Sequence, residues 1–338
     1  MGRKPCVLLP MDGTNKVFHK RERFAPVLEE YGVEFLTPEL GGQFPATEQM
    51  LVNALQGVDA FFAGSEYVTR GLLEQVPSLK LVQRIGVGYD KVDVQAGTDL
   101  GVMVAITPGT LSEAVAEHTF ALMLAVAGGI PRYDREVKAG QWNVGLRADL
   151  FGATLGILGV GRIGREVVKR AQAFGMQVLA YDPVWDEQFA RQYGVVRGGF
   201  HEVLAAADLI VLCLPLTAET RGLIGEEALR VVKPTAFLIN TARGAVVDES
   251  AICQALAEGR LAGYATDVFT TTPPPVDDPL LQLDNVVVTP HVAAASRQAN
   301  VRTNRLAAEC VGRILTGQPA PEGCVLNPEA WPVWRGRA

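Results

Sequence analysis

The sequence predicts an α/β protein built from two doubly wound parallel sheets. Short apolar runs rich in Val, Ile and Leu alternate with helical patterns along nearly all of the 338 residues. Strands that are apolar on both faces are typical of parallel sheets that helices cover on each side. These runs are too numerous for one ordinary sheet, and the length of the chain also favours two domains.

The predicted strands fall into an early and a late group. The early group comprises Cys6–Leu9, Val33–Leu36, Asp59–Ala63, Leu81–Ile85 and Val102–Ala105. The late group comprises Thr154–Gly159, Gln177–Asp182, Asp208–Leu214, Thr235–Asn240, Gly263–Asp267 and Asn285–Thr289. Pro108 and Gly109 interrupt the pattern between the groups, so we place a domain boundary near them. A long helical pattern over about Ala293–Leu315 follows the last strand, and it could return to the first domain and make that domain discontinuous.

Composition and charge exclude several classes of protein. A net charge of −6 without basic runs argues against a nucleic-acid surface. The N-terminal apolar run is too short for a signal peptide. The apolar stretch Ala114–Ile130 is interrupted by Glu117 and His118 and is shorter than a membrane span, so we interpret it as a buried helix. We expect no metal site and a reducing, cytoplasmic location, because the five cysteines are scattered (Cys6, Cys213, Cys253, Cys310, Cys324).

The strongest motif is a glycine-rich turn between a predicted strand and a predicted helix. Gly159-x-Gly161-x-x-Gly164 follows the strand, and the next strand ends at Asp182, 18 residues beyond Gly164. The first glycine permits a tight turn, the second lets the backbone approach a pyrophosphate, and the third lets helix and strand pack closely. Asp182 can accept hydrogen bonds from both ribose hydroxyls and would repel a 2′-phosphate. The motif predicts a Rossmann-type site that prefers NAD to NADP; the alternative is a set of turn glycines with a solvated aspartate before Pro183.

Three polar residues lie at or just past the ends of late strands, namely Arg243, Asp267 and His291. Ligands of open α/β sheets bind at the carboxyl ends of strands, so we expect the three at one edge of the sheet. This pattern favours hydride transfer from a nicotinamide to a 2-keto acid. Arg243 would hold the carboxylate and polarise the keto oxygen, and His291 would exchange a proton with that oxygen. The remaining histidines fall in helical patterns without such a context (His19, His118, His201).

With these residues in place, the chain resembles the D-isomer-specific 2-hydroxyacid dehydrogenase family, of the phosphoglycerate dehydrogenase and glyoxylate/hydroxypyruvate reductase type. The resemblance covers nearly the whole chain and rests on motifs in a fixed order: RIGVGYDKVD, TPGTLSEAVAEHT, GILGVGRIGREV, LCLPLTAETRGLI, INTARGAVVDESAICQALAEGRLAGYATDVF, TPHVA and VLNPE. It implies a substrate-binding domain of residues 1–107 plus 295–338 and an NAD-binding domain of residues 108–294. It also implies a homodimer built around the NAD-binding domains.

The resemblance also implies roles for individual residues. The backbone amides of the loop Ile85, Gly86, Val87 and Gly88 would bind the substrate carboxylate together with Arg243. Asp267 would hold the carboxamide of the nicotinamide. The cofactor would contact Val87, Gly159, Gly161, Arg162, Ile163, Gly164, Asp182, Leu214, Pro215, Thr241, Ala242, Asp267 and His291.

The chain departs from the family pattern at two informative positions. Thr272 stands where the family has the glutamate that pairs with the catalytic histidine. We expect Thr272 to face His291 and the enzyme to work without that carboxylate, unless Asp277 or Asp278 folds back to supply it. Gly64 stands where phosphate-binding relatives carry an arginine, which counts against 3-phosphoglycerate as the substrate.

Two alternatives to a D-2-hydroxyacid dehydrogenase remain open at the level of sequence. The first is a non-catalytic, NAD-sensing scaffold or corepressor of the same fold, which the threonine at position 272 favours. Retention of Arg243 and His291 opposes it, because a pure scaffold needs neither residue. The second is an oxidoreductase of this fold that acts on an acid other than a simple 2-hydroxy acid.

Overall fold

The computed structural model describes residues 3–11, 19, 21–41 and 45–331. The chain divides into two compact units, a first unit of Met1–Leu111 with Ala295–Ala338 and a second unit of Ser112–Ala294. Residues 332–338, which the sequence assigns to the discontinuous domain, lie outside the described range.

The first unit contains a parallel sheet that has five strands within the described residues, in the order β2-β1-β3-β4-β5. The strands are β1 (Cys6–Leu8), β2 (Glu34–Leu36), β3 (Ala60–Ala63), β4 (Leu81–Arg84) and β5 (Met103–Ala105). The helices of this part are α1 (Ala25–Glu30), α2 (Glu48–Ala54), α3 (Arg70–Gln75) and α4 (Val94–Asp99). Thr47, Thr69 and Asp93 start α2, α3 and α4, because their side-chain oxygens accept hydrogen bonds from first-turn amides.

Helices cover both faces of this sheet, as the apolar runs predict. Phe61 and Phe62 are neighbours on β3, and both are fully buried. Their side chains enter different clusters, because successive residues of a strand point to opposite faces.

The second unit contains a parallel sheet that has seven strands within the described residues, in the order β12-β11-β10-β9-β6-β7-β8. The strands are β6 (Thr154–Leu158), β7 (Gln177–Tyr181), β8 (Val196–Arg197), β9 (Leu209–Leu212), β10 (Phe237–Asn240), β11 (Gly263–Thr266) and β12 (Val286–Val288). The helices are α5 (Ser112–Ala127), α6 (Ile130–Lys138), α7 (Arg162–Ala173), α8 (Glu187–Gln192), α9 (Phe200–Ala206), α10 (Glu226–Leu229) and α11 (Glu249–Ala257). The sequence did not predict β8, a two-residue strand at the edge of the sheet with both residues exposed.

The chain then returns to the first unit as α12 (Arg297–Leu315), which begins after Ser296, whose hydroxyl accepts a hydrogen bond from the Ala299 amide. Buried residues of α12, including Val311 and Ile314, complete the cluster that contains Val7 and Leu28. The predicted fold class is confirmed: each unit is an α/β structure around a parallel sheet.

No single described helix is long and apolar enough to cross a membrane. Of the helix pairs in the described part of the chain, α5 with α6 reaches that length and hydropathy, and the pair is bent by 58° at the break between them.

Candidate active site

The glycine-rich turn joins β6 to α7 with almost no spare room. Gly159 has a φ of +98°, and a Cβ built on it would lie 2.6 Å from the Cys213 carbonyl oxygen. A Cβ on Gly164 would lie 2.1 Å from the Gly159 carbonyl oxygen, so α7 approaches the turn as closely as a glycine allows. Each of these glycines is therefore required by a close backbone contact.

Gly161 behaves differently, because a Cβ built on it would meet nothing within 4 Å. This residue precedes α7 and provides no side-chain hydrogen bond to the first-turn amides. An uncapped helix N-terminus beside open space favours an anion, since the amides and the helix dipole both present positive charge. The residues present therefore fit the pyrophosphate of a dinucleotide.

Asp182 follows β7 and is tied to the same turn. Its Oδ2 accepts a hydrogen bond from the Val160 amide at 2.7 Å, and its Oδ1 accepts one from the Val184 amide at 2.8 Å. These bonds fix the direction of the carboxylate and leave each oxygen a further lone pair. A carboxylate held in this way can accept hydrogen bonds from the hydroxyl groups of a ribose.

The residues that follow β9 form the other side of the turn. Burial raises the pKa of the Cys213 thiol to about 12, so this side chain is uncharged beside the proposed phosphate site. Leu214 is buried, whereas Pro215 is exposed and its carbonyl oxygen accepts a hydrogen bond from the Thr220 hydroxyl at 2.6 Å. The contacts of Gly159 and Gly164 with this segment therefore involve neutral groups.

The three polar residues predicted at one edge do follow neighbouring strands in register. Asn240 on β10 pairs with Thr266 on β11, and Thr266 pairs with Val288 on β12. Arg243, Asp267 and His291 come one to three residues after these paired positions. The end of β10 is also in register with the ends of β9 and β6, so the glycine turn lies along the same edge.

The loop that carries Arg243 is closed by Asn240. The Asn240 side chain donates to the Arg243 carbonyl oxygen at 2.9 Å and accepts from the Ala242 amide at 3.0 Å. Arg243 Nη1 donates to the Ala242 carbonyl oxygen at 2.8 Å, and its side chain is half-buried. The buried Thr241 hydroxyl lies 2.9 Å from that of Thr119 on α5. The backbone at this position is therefore fixed from both sides.

His291 lies in a turn that the Asp267 carboxylate holds. Asp267 is 1% exposed, and its Oδ1 accepts from the Thr289 hydroxyl at 2.6 Å and from the Val292 amide at 2.8 Å. Its Oδ2 accepts from the Ala293 amide at 2.8 Å. Among the described residues His291 is the one non-glycine with a positive φ, at +58°. The carboxylate thus binds both flanks of a left-handed histidine whose side chain is exposed.

His118, on α5, also reaches this turn. Its Nε2 lies 2.9 Å from Thr289 Oγ1 and 3.6 Å from Asp267 Oδ1. His19 lies outside the described helices, where its Nδ1 is 3.1 Å from Asn304 Oδ1 and burial lowers its pKa to about 4. His201 is an exposed residue of α9.

Thr272 lies in an exposed segment, and its hydroxyl donates to the Phe269 carbonyl oxygen at 3.4 Å. The Glu249 carboxylate anchors this segment by accepting from the Thr270 amide at 2.8 Å. Asp278 already has a local partner, since its Oδ1 accepts from the Leu280 amide at 2.9 Å and caps the short helix Pro279–Gln282.

In the first unit, Arg84 at the end of β4 holds the loop Ile85–Gly88. Its Nε donates to the Gly88 carbonyl oxygen at 3.0 Å, so the side chain closes the loop that follows it. Its Nη1 donates to the carbonyl oxygens of Ala63, at 3.0 Å, and Gly64. This anchoring gives the predicted substrate loop a fixed shape within its own unit.

Comparison with known proteins identifies the class of this site. The family model described as D-isomer specific 2-hydroxyacid dehydrogenase, NAD binding domain, matches residues 120–293. A glyoxylate reductase of Korarchaeum cryptofilum is 40% identical over 82% of this chain and 86% of its own length. A D-3-phosphoglycerate dehydrogenase of Methanocaldococcus jannaschii is 40% identical over 87% of this chain, which spans 56% of that relative. A crystal structure of D-lactate dehydrogenase from Aquifex aeolicus, complexed with NAD and lactic acid, has a TM-score of 0.83 at 29% identity and covers 95% of this chain and 99% of its own.

The fold and these relatives define an NAD-dependent oxidoreductase. The chain belongs to the D-isomer specific 2-hydroxyacid dehydrogenase family. The predicted family, enzyme class and cofactor are confirmed, and the non-catalytic scaffold is not favoured, because these relatives are named as dehydrogenases and reductases.

Proposed function

We propose that this protein reduces a small 2-keto acid to the D-2-hydroxy acid, with Arg243 binding the carboxylate and His291 acting as acid and base. The observation that supports this proposal is the alignment of strand ends. Arg243 and His291 follow strands whose ends are in register with each other and with the strand before the glycine turn. Bound NADH supplies the hydride.

Each residue has a distinct task in this reaction. The planar guanidinium of Arg243 binds the carboxylate and polarises the keto oxygen through charge-assisted hydrogen bonds. As negative charge develops on that oxygen, the His291 imidazolium donates a proton to it, and neutral imidazole removes the proton in the reverse direction. The amides of Ile85–Gly88 bind the carboxylate as well. In this proposal the first unit supplies the substrate loop and the second unit binds NAD.

The cofactor residues divide their work in the same manner. Asp182 accepts hydrogen bonds from the two ribose hydroxyls and disfavours the 2′-phosphate of NADP, while Gly161 and the start of α7 bind the pyrophosphate. Asp267 accepts three hydrogen bonds from the protein, so one lone pair of the carboxylate remains for the carboxamide of the nicotinamide.

The substrate is a small, unphosphorylated 2-keto acid of the glyoxylate and hydroxypyruvate type. Gly64 provides no cation at the position where phosphate-binding relatives carry an arginine. The missing positive charge favours an unphosphorylated substrate.

We further propose a cytoplasmic homodimer that forms through the arm of residues 139–151. The arm exposes Trp142 by 82%, Val144 by 90%, Leu146 by 103% and Phe151 by 84%. Large apolar side chains exposed together on one segment indicate an interaction site, and in a symmetric dimer the same residues of a second copy would face them. All five cysteines are free thiols, which supports a reducing compartment. Sedimentation analysis tests the dimer: Trp142→Ser with Leu146→Ser should yield monomers, and an unchanged mass would contradict it.

A screen of keto acids with NADH tests the proposed reaction. The panel contains glyoxylate, hydroxypyruvate, pyruvate, phosphohydroxypyruvate and mixtures of 2-keto acids with amines. We expect NADH oxidation with an unphosphorylated keto acid, weak activity on the phosphorylated one, and a D-configured product by chiral chromatography. NADH binding without any oxidation would support the scaffold instead, and activity on the imine mixtures alone would support a different oxidoreductase.

A further inference from the structure

We infer that His118 is a positioning residue, which holds the turn that carries His291 by way of Thr289 and Asp267. The inference rests on the proposed function, because it concerns the placement of the proposed proton donor. All of its residues belong to the second unit, where α5 packs against β10, β11 and β12.

The hydrogen bonds between these residues run in one direction. A carboxylate can only accept, so the Thr289 hydroxyl must give its single proton to Asp267 Oδ1, 2.6 Å away. Thr289 Oγ1 can then only accept from His118 Nε2, 2.9 Å away. The Nε2 atom of His118 must therefore carry a proton, and the order of donation is His118 to Thr289 to Asp267.

The end of this chain of hydrogen bonds is the backbone beside His291. Asp267 binds the amides of Val292 and Ala293, directly after His291, and the hydroxyl of Thr289, two residues before it. The His291 amide also donates to the Thr289 carbonyl oxygen at 3.1 Å. Three of the bonds that define the turn therefore depend on the orientation of one buried carboxylate.

The turn needs such support because its backbone is strained. His291 has a φ of +58°, and a left-handed conformation is unfavourable for a non-glycine residue. Strained residues persist only where their surroundings hold them. If Thr289 and Asp267 lose their orientation, His291 can relax to an ordinary backbone conformation and carry its imidazole away from the substrate.

A donor at position 118 is the feature that the inference requires. Glutamine can donate from its amide nitrogen to Thr289 Oγ1, whereas leucine has a similar size and no donor. His201 is an exposed histidine of the same unit and serves as the matched control. We therefore compare His118→Gln, His118→Leu and His201→Leu.

Kinetics supply the first test. Displacement of a catalytic group by about 1 Å can cost about 100-fold in rate, so we expect His118→Leu to lower kcat by about 10- to 100-fold. NADH affinity, measured by fluorescence, should fall by much less than kcat, because the glycine turn and Asp182 do not depend on His118 and only the proposed contact of Asp267 with the carboxamide does. His118→Gln should recover most of kcat, and His201→Leu should match the wild type. Equal losses in the Gln and Leu variants, or normal kcat in the Leu variant, would overturn the inference.

A double-mutant cycle separates positioning from general packing. Thr289→Val removes the hydroxyl at constant shape, and Thr289→Ser keeps it. If both residues act through one chain of bonds, His118→Leu combined with Thr289→Val should lose no more kcat than the worse single variant. If the loss of kcat in the double variant equals the product of the two single losses, His118 and Thr289 do not act through one chain of hydrogen bonds. The same conclusion follows if Thr289→Ser is as impaired as Thr289→Val.

Two measurements on the cofactor-free protein do not depend on activity. The sequence contains four histidines, so imidazole nitrogen NMR can show whether His118 Nε2 is protonated. Amide exchange at Val292 and Ala293 should be at least about tenfold faster in His118→Leu than in the wild type, with β6 unchanged. An unprotonated Nε2 or unchanged exchange would refute the inference. If no keto acid is turned over, the proposed function fails, and these measurements still decide the role of His118.

Discussion

Replacing a glycine of the glycine turn by alanine should lower the stability of the protein at Gly164 and weaken NADH binding at Gly161. In Gly164→Ala the new Cβ would lie 2.1 Å from the Gly159 carbonyl oxygen, against a limit of 3.0 Å for real Cβ contacts. The start of α7 must therefore move by about 0.9 Å, the difference between these two distances. Overpacking of this kind costs about 1–3 kcal/mol. At roughly 2–4 °C per kcal/mol for a unit of this size, the cofactor-free protein should lose roughly 2–12 °C in Tm.

In Gly161→Ala the new Cβ meets no atom within 4 Å, and the backbone, at φ −72° and ψ −163°, suits alanine. The Tm of the cofactor-free protein should fall by only roughly 1–4 °C, since alanine is a poorer helix N-cap than glycine by about 0.5–1 kcal/mol. The methyl group nevertheless takes the space in which the pyrophosphate is proposed to lie. We expect the Kd for NADH to rise at least about tenfold, or about 1.4 kcal/mol.

Two measurements on each variant test this pair. Thermal unfolding followed by circular dichroism gives the stability of the cofactor-free protein, and fluorescence titration gives the affinity for NADH. If Gly164→Ala unfolds at the wild-type temperature, the close contact with Gly159 is not limiting. If Gly161→Ala binds NADH as tightly as the wild type, the open space over α7 is not the phosphate site.

Four further predictions concern single residues. Arg243→Ala should lower kcat/KM by roughly 100- to 1,000-fold while NADH still binds. Arg243→Lys should retain only part of the wild-type kcat/KM. A near-normal alanine variant would show that another residue binds the carboxylate. The wild type should prefer NAD to NADP by at least about tenfold in kcat/KM, and Asp182→Ser should narrow that preference; equal values in the wild type would count against the assignment of Asp182. We expect Thr272 to face His291, so Thr272→Glu should move the basic limb of the pH–rate profile for reduction up by about one pH unit; an unmoved limb would show that the two residues do not face each other. Burial lowers the pKa of His19 from 6.5 to about 4. As the pH drops through this range, the unfolded chain binds a proton at His19 before the folded protein does, so stability falls. His19→Gln should therefore reduce the decrease in Tm between about pH 7 and about pH 5, and an unaltered decrease would contradict the burial of His19.

The strands could be predicted because burial on both faces leaves a simple signal. Leu209–Leu212 lies inside the predicted strand Asp208–Leu214, and the extra residues at each end belong to the connecting loops. The strand Val196–Arg197 left no such signal. Both of its residues are exposed, and it exists through pairing with β7 at the edge of the sheet.

The candidate site was predictable wherever a residue follows a strand, because parallel strands bring their carboxyl ends to one edge. The role of His118 could not be predicted from the sequence, because it depends on how α5 packs against the sheet. Its hydrogen-bond partner Thr289 lies 171 positions away in the sequence. The hydrogen bonds from Asp267 to the His291 turn could not be predicted from the sequence for a related reason. Two of its three hydrogen bonds go to backbone amides, whose positions no side-chain pattern records.

The core of the first unit is assembled from both ends of the chain, which sets an order for its biosynthesis. Its sheet is encoded before residue 106, yet the buried cluster that includes Val7 and Leu28 is completed by Val311 and Ile314 of α12. About 200 residues separate these parts, so at about 5–20 residues per second the ribosome needs roughly 10–40 s to supply the covering helix. The second unit is one continuous stretch and can fold during that interval. Until α12 emerges, the nascent first unit exposes apolar residues that α12 later covers. Chaperone binding and aggregation compete for these residues during that time.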